Sequence, residues 1–298
     1  MKLGTILFSW KQEGITGGIK SASKAGFRYV DYSLCEDYGV ARKDEEKYFG
    51  EIRSVMQDYG METSQTHAPA IVTVSEDGAQ FSSEKFKEEV VMAIRRTAIL
   101  GAPYTVMHLH TPYAKNWENV SYDYSAFAEE NFKRNIDFCE KIKPYLKEYG
   151  VTMALENLAA YDLIQGSIVP TTCCTSEECN RYIDALGDEH FCICLDAGHL
   201  NLMKGETHSS FIDNLGSRIK VLHLHDNFGA LHDWWGDGDR HLPPFMGTLP
   251  WDELAQALKR NHFDGVYSFE VKGYAPKEFI AQEYEYLVRV GKKIFYNE

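Results

Sequence analysis

Short β-rich runs, most of them nearly continuous apolar segments, punctuate the chain at residues 2–8, 27–32, 61–67, 103–110, 151–156, 191–196, 219–225 and 265–271. Apolar runs without alternation are what strands look like when both faces are covered. Between several of them the period changes to that of a helix. Over 83–100, Phe86, Val90, Ile94 and Ala98 recur every four residues, with Ser82 or Ser83 placed to cap and Gly101 to stop. Over 125–149 a stripe of Phe132, Ile136, Cys139, Ile142, Leu146 and Tyr149 predicts a second helix, and Pro144 predicts a kink in it. Pro250 opens a third, carrying Trp251, Leu254 and Leu258, and a last one from about 276 carries Phe279, Tyr284, Leu287 and Val290. Residues 9–26 read only as a loop leading into a helix.

Strands alternating with helices predict right-handed βαβ units and a parallel sheet. Eight repeats in 298 residues match an α/β chain folded as one (β/α)8 TIM-barrel domain over 1–298. An open doubly wound sheet would carry a Gly-rich fingerprint after its first strand, and Gly17-Gly18 lacks that spacing.

Composition narrows the partners. Lys plus Arg number 31 against 44 Asp plus Glu, a formal charge of −13, so a phosphate backbone is repelled and nucleic acid is not expected. No run of eighteen apolar residues offers a membrane span, and the N-terminus reads as a first strand, not a signal peptide. Seven Cys without a C-x-x-C motif read as reduced, mostly buried thiols of a cytoplasmic protein. No nucleophile elbow or P-loop is present.

Candidate chemistry gathers at the strand ends. His67 closes the third strand, His108 the fourth, Glu156 the fifth, Asp196 the sixth, His223 ends the seventh, and Glu270 lies near the end of the eighth. In a barrel these ends converge on one face. Core packing does not ask for six metal-competent side chains there, and a divalent cation is the simplest way to keep several buried carboxylates ionised together. Taken singly, each has a bland reading: His67 as a hydrogen-bonded turn residue, Glu156 as half of a salt bridge. Gly198 is expected to let the chain turn sharply, so that His199 comes back towards the site. In the long loop after the seventh strand, Asp239 and His241 are two apart, a spacing that presents both to one ion. Trp234-Trp235 reads either as a platform for a sugar ring or as a clasp for the loop.

The motifs H-A-P, A-L-E-N, C-L-D-A-G-H, H-L-H-D-N, D-R-H…G-T-L-P-W and F-E-V-K together resemble the xylose isomerase-like TIM barrels. That superfamily includes sugar phosphate isomerases, ketose 3-epimerases and type IV AP endonucleases. The resemblance implies one divalent metal held by Glu156, Asp196, His223 and Glu270. The endonuclease branch implies further ligands at His67, His108, His199, Asp239 and His241, so the expected cofactor is one to three ions of zinc or manganese.

The expected activity is a metal-dependent isomerase or epimerase of a small sugar or sugar phosphate, moving a proton next to a carbonyl through a metal-stabilised enediolate. By resemblance Glu156 and Glu270 exchange the proton, with His199 as a second acid/base. Asn157, His110, Trp234 and Trp235 contact the substrate. The competing readings are a zinc phosphodiesterase, a dehydratase or lyase on the same scaffold, and a non-catalytic sugar-binding barrel. Acidic loops around the barrel mouth weigh against the phosphodiesterase. A homo-oligomer is compatible with all of them.

Overall fold

The computed structural model describes residues 1–34, 37, 39–69, 81–111, 124–162, 167–169, 172–203, 205–229, 238–273 and 275–297. Eight parallel strands form its centre: β1 (Leu3–Ile6), β2 (Tyr29–Ser33), β3 (Glu62–His67), β4 (Tyr104–Met107), β5 (Thr152–Glu156), β8 (Phe191–Asp196), β9 (Ile219–His223) and β10 (Tyr267–Phe269). A two-stranded antiparallel excursion, β6 (Ala160–Asp162) with β7 (Ser167–Val169), interrupts the succession and was not legible as strand. The sheet runs β10-β1-β2-β3-β4-β5-β8-β9. Its two ends meet just past β9, where Leu224 N donates to Ser268 O at 2.9 Å and Glu270 N donates to Leu224 O at 3.1 Å. The ladder is thus closed, as the TIM-barrel expectation requires.

The strands are shorter than their apolar runs. The run 103–110 is strand only to Met107, so His108 and His110 lie beyond the end of β4 instead of within it. Helices surround the strands: α1 (Trp10–Ala25), α2 (Glu45–Asp58), α3 (Glu84–Leu100), α4 (Tyr124–Tyr149), α5 (Ser176–Leu186), α6 (Ala197–Leu202), α7 (His208–Leu215), α8 (Trp251–Arg260) and α9 (Ile280–Tyr296). The predicted stripe of α3 is buried at Phe86, Val90 and Ile94. Ser83 caps it by accepting from Phe86 N, and Gly101 ends it at φ 78°. On α8, Trp251, Leu254 and Leu258 are buried as expected.

Two local expectations need correction, at residues 9–26 and at Phe279. Residues 9–26 are mostly helix, broken at Gly14 (φ 71°); the glycines and polar residues there blurred the period. Helix α4 continues through Pro144. Helix α9 starts at Ile280, and Phe279 before it is 53% exposed and not part of the buried stripe.

Two apolar layers result. The larger lies between strands and helices; the smaller fills the barrel interior with Val106, Ala154, Cys192, Cys194 and Val221. Small side chains fit where strands converge. The six described cysteines are free and buried, as the spacing implied; Cys35 lies outside the described residues. No helix among the described residues is long and apolar enough to cross a membrane.

Candidate metal centre

Parallel strands deliver their C-terminal residues to one rim, and the rim here is crowded with imidazoles and carboxylates. One donor atom each from Glu156, Asp196, His223 and Glu270 lies within 4.8 Å of the others. His223 is the pivot. Its Nδ1 is 3.2 Å from Glu156 Oε1, 3.1 Å from Glu270 Oε2 and 3.9 Å from Asp196 Oδ2. Neighbouring groups share its members. His67, His108 and Glu156 form one, Asp196, His199 and His225 another, and His225, His241 and Glu270 a third. His67 Nε2 and His108 Nε2 both approach Glu156 Oε2, at 3.3 and 2.9 Å. Asp239 bridges the far side, 3.6 Å from His199 Nε2 and 2.9 Å from His241 Nε2.

A recurring detail orients the rings. His67 Nδ1 bonds Ala68 O at 2.7 Å, His199 Nδ1 bonds Asn157 O at 2.9 Å, and His241 Nδ1 bonds Glu270 O at 2.7 Å. A main-chain carbonyl accepts only from N–H, so in each ring Nδ1 carries a hydrogen and Nε2 is the nitrogen turned to the cluster, where it offers a lone pair once deprotonated. Histidines that ligate metals are held in this way. Glu270 Oε2 and Asp239 Oδ1 are buried yet accept no hydrogen bond. Leaving them so is costly unless something else satisfies them. The donor set, imidazoles with carboxylates, fits a divalent transition cation.

Charge holds the cluster together without one. Burial opposes ionisation of Glu156, but the imidazoles of His108 and His223 outweigh it and hold the carboxyl well below the usual range. Asp196 and Asp239 are lowered despite burial by His199 with His225 and by His199 with His241. Conversely, burial disfavours charge on His199, yet Asp196 and Asp239 push it well above the ordinary imidazole value. His241 rises to about 9 against its burial, through Asp239 and Glu270.

Several side chains do work that spacing did not disclose. Asp31 on β2 sits 3.0 Å from His223 Nε2 and takes a 2.8 Å hydrogen bond from Gln65 Nε2. It flanks the ring at ion-pair distance on the side away from the cluster, where carboxylates behind metal-bound histidines stand. Replacing Asp31 with Asn should weaken cation affinity about 10- to 100-fold while leaving the fold intact. Equilibrium dialysis against zinc checks this, and unchanged affinity would remove Asp31 from that role. His225, seen in sequence only as a neighbour of His223, reaches Asp196 Oδ2 at 3.0 Å. An alternating H-L-H at a strand end was the available signal. Gly198 is needed for space and not for a sharp turn: it lies inside α6, and a Cβ there would be 1.9 Å from His225 Cε1.

Two residues expected to contact substrate have protein partners in the structure. Asn157 spends its amide on the Asp196 main chain, donating to Asp196 O at 2.9 Å and accepting from Asp196 N at 2.7 Å. It therefore locks β5 to β8. His110 is buried, with Nδ1 2.7 Å from Asn131 Oδ1 and its main-chain N donating to Asn135 Oδ1. The asparagines of α4 draw it away from the cluster, a long-range partnership invisible in local sequence. Trp234 and Trp235 lie outside the described residues.

Comparison with known proteins agrees with this architecture. A 124-residue stretch is 30% identical to D-psicose 3-epimerase of Enterocloster bolteae, covering 42% of this chain and 35% of that one. A solved D-tagatose 3-epimerase-like protein superposes at TM-score 0.74 with 22% identity, over 100% of this chain and 99% of the other. The IolI protein, solved with a bound zinc atom, superposes at 0.72 with 17% identity, over 100% and 99%. At such identities the superpositions establish a common fold. The family model of xylose isomerase-like TIM barrels matches residues 19–290. With the closed parallel barrel and the rim of His, Asp and Glu, this match means that the chain belongs to the xylose isomerase-like TIM barrel family.

Proposed function

We propose that this protein is a divalent-cation-dependent isomerase or epimerase of a small sugar or related polyol, moving a proton at the carbon next to a carbonyl. The observation that carries the reading is the convergence of Glu156, Asp196, His223 and Glu270, with Glu270 Oε2 buried and unbonded. The likeness to a D-psicose 3-epimerase and to a D-tagatose 3-epimerase-like protein supports it. Glu156, Asp196, His223 and Glu270 would hold the principal cation, zinc or manganese by ligand type. His67, His108, His199, His225, Asp239 and His241 offer donors for up to two more. A cation bound there supplies Lewis acidity, lowering the cost of removing a proton beside a chelated carbonyl.

The chain's own carboxylates divide the proton work unequally. Glu270 lines the adjacent cavity, and with one carboxylate oxygen on the cation the other is left to accept the proton. Glu156 faces imidazoles on both oxygens, which keeps it ionised but makes it the weaker base. It serves chiefly as the hub of the cluster, and passes to the opposite face of the carbon only a proton that an adjacent imidazole has first given it. His199, with Nε2 directed at Asp239, is the group placed to pass a proton onward.

Metal analysis of purified protein, followed by incubation with ketoses in heavy water, tests the proposal. Bound zinc or manganese and deuterium entering carbon beside the carbonyl are expected. Their joint absence would overturn it. The extra donors around Glu156 and Asp239 favour one rival, a zinc phosphodiesterase. Metal-dependent nicking of a plasmid carrying an abasic site, at catalytic rates, would decide for that rival.

A further inference from the structure

A cavity of about 540 Å³ opens beside the cluster, within the size range of small-molecule sites. His67 and Glu270 border it on the cluster side, and Phe8 and Trp10 supply an apolar wall. A second polar group lines it, and the chemistry argued so far makes no use of that group. Asp37, in the segment between β2 and α2, is buried to 7% exposure, and each of its carboxylate oxygens accepts one phenol. Tyr32 Oη donates to Oδ2 and Tyr48 Oη to Oδ1, both at 2.8 Å.

The position of this carboxylate is enforced from behind. Fully buried Arg96 donates to Asp37 O at 3.0 Å and to Val40 O at 2.8 Å, while its Nε is occupied by Glu45 at 2.9 Å. The guanidinium thus clamps the backbone of the segment and takes its counter-charge from Glu45. A carboxylate oxygen has about two acceptor sites, so each Asp37 oxygen keeps one after the phenol is bound. Among the described residues lining the cavity there is no Lys or Arg. The segments outside the described residues contain only Lys115 and Lys204 as Lys or Arg. Such a cavity has acceptors for hydroxyl donors, an aromatic wall for C–H faces, and repulsion for anions.

Resting on the isomerase reading above, we propose that Asp37, with Tyr32 and Tyr48, is the subsite for the distal hydroxyl of an unphosphorylated polyol chain, and that it rejects substrates ending in phosphate. The terminal hydroxyl donates to Asp37 while the carbonyl end lies at the cluster. A phosphate in the same place would face a carboxylate with no Lys or Arg among the described lining residues to compensate, Arg96 being spent on Glu45 and the main chain.

The test uses the zinc- or manganese-loaded full chain with D-fructose and D-psicose, each free and as its 6-phosphate. Deuterium exchange and calorimetric binding are both read. The free sugars should be favoured over the phosphates by at least about 100-fold in kcat/KM or affinity. Asp37→Asn should raise KM for the free sugar about 10- to 100-fold, with kcat kept within about threefold. It should also narrow the discrimination against phosphate about tenfold, since the repelling charge is gone. Tyr48→Phe keeps the charge and so should keep the discrimination, which separates a charge effect from general damage to the cavity. Equal or better use of the 6-phosphates, or an Asp37→Asn protein with unchanged KM and affinity, would overturn the subsite. Absence of exchange with every sugar in either form would sink the isomerase reading instead. Calorimetric binding of free D-fructose, weakened by Asp37→Asn, would still support the subsite in that event, and absence of such binding would overturn it as well.

Discussion

Replacing Glu270 with Gln should lower solvent-proton exchange into substrate about 10³-fold in folded protein reloaded with cation, the amide oxygen being a weaker ligand than the carboxylate it replaces. A positioned general base is commonly worth 10²- to 10⁴-fold, and the amide removes the basic oxygen without changing the shape of the side chain. Glu270 lines the cavity as well as the cluster, so one of its carboxylate oxygens faces substrate while the other serves the cation. The matching change at Glu156 should behave differently. Glu156 belongs to three of the donor groups, and both of its oxygens face imidazoles. Glu156→Gln should therefore shed cation as well as activity. Metal content measured beside exchange separates the two outcomes. Full exchange in the Glu270→Gln protein, or equal cation loss in both variants, would reject this division of labour.

The second large effect concerns pH and cation removal. In the cation-free protein His67, His199, His223 and His241 have raised values, the last to about 9. Their stabilisation is complete below the unfolded imidazole value of about 6.5 and is lost as pH rises through the folded values. Glu156, Asp196 and Asp239 are lowered, so theirs is present above about 4 and lost as pH falls through the folded values. Chelated protein should therefore be most stable between roughly pH 4.5 and 6.5, and its melting temperature should decline towards pH 9. A bound cation takes the place of those protons, and its affinity grows as histidines deprotonate. Zinc at about 1,000 times its dissociation constant contributes on the order of 4 kcal/mol, or roughly 8 °C in a chain of this size. That increment should be clearly larger at pH 8 than at pH 5.5. Calorimetric melting with and without chelator checks it, and identical curves at every pH would refute the picture.

Much of the barrel could be read from local pattern because burial on both faces leaves continuous apolar runs. Each such run contains a strand in the structure. Helices with a clean stripe, α3 and α8, were equally plain. The helix over 10–25 was obscured because Gly14 breaks it and its exposed face is polar. The hairpin of β6 and β7 was missed because three-residue strands have no period to detect. Phe279 was misplaced because one turn of 3-10 helix precedes α9 and shifts the face.

At the rim, residue type and position at strand ends were enough to nominate Glu156, Asp196, His223 and Glu270, since a charged group closing an apolar strand is conspicuous. Their spacing along the chain says nothing of distance, however, and only barrel closure brings atoms from β5, β8, β9 and the end of β10 within 4.8 Å. The supporting contacts were wholly tertiary. Asp31 behind His223, Asn157 across to Asp196, His110 bonded to α4 and the Arg96 clamp behind Asp37 all join residues more than 20 apart. Local composition sets which side chains are available and which strand ends carry them. Which of those groups face a cation, which face substrate and which merely hold a neighbour in place depends on orientation, and orientation exists only once the elements have packed.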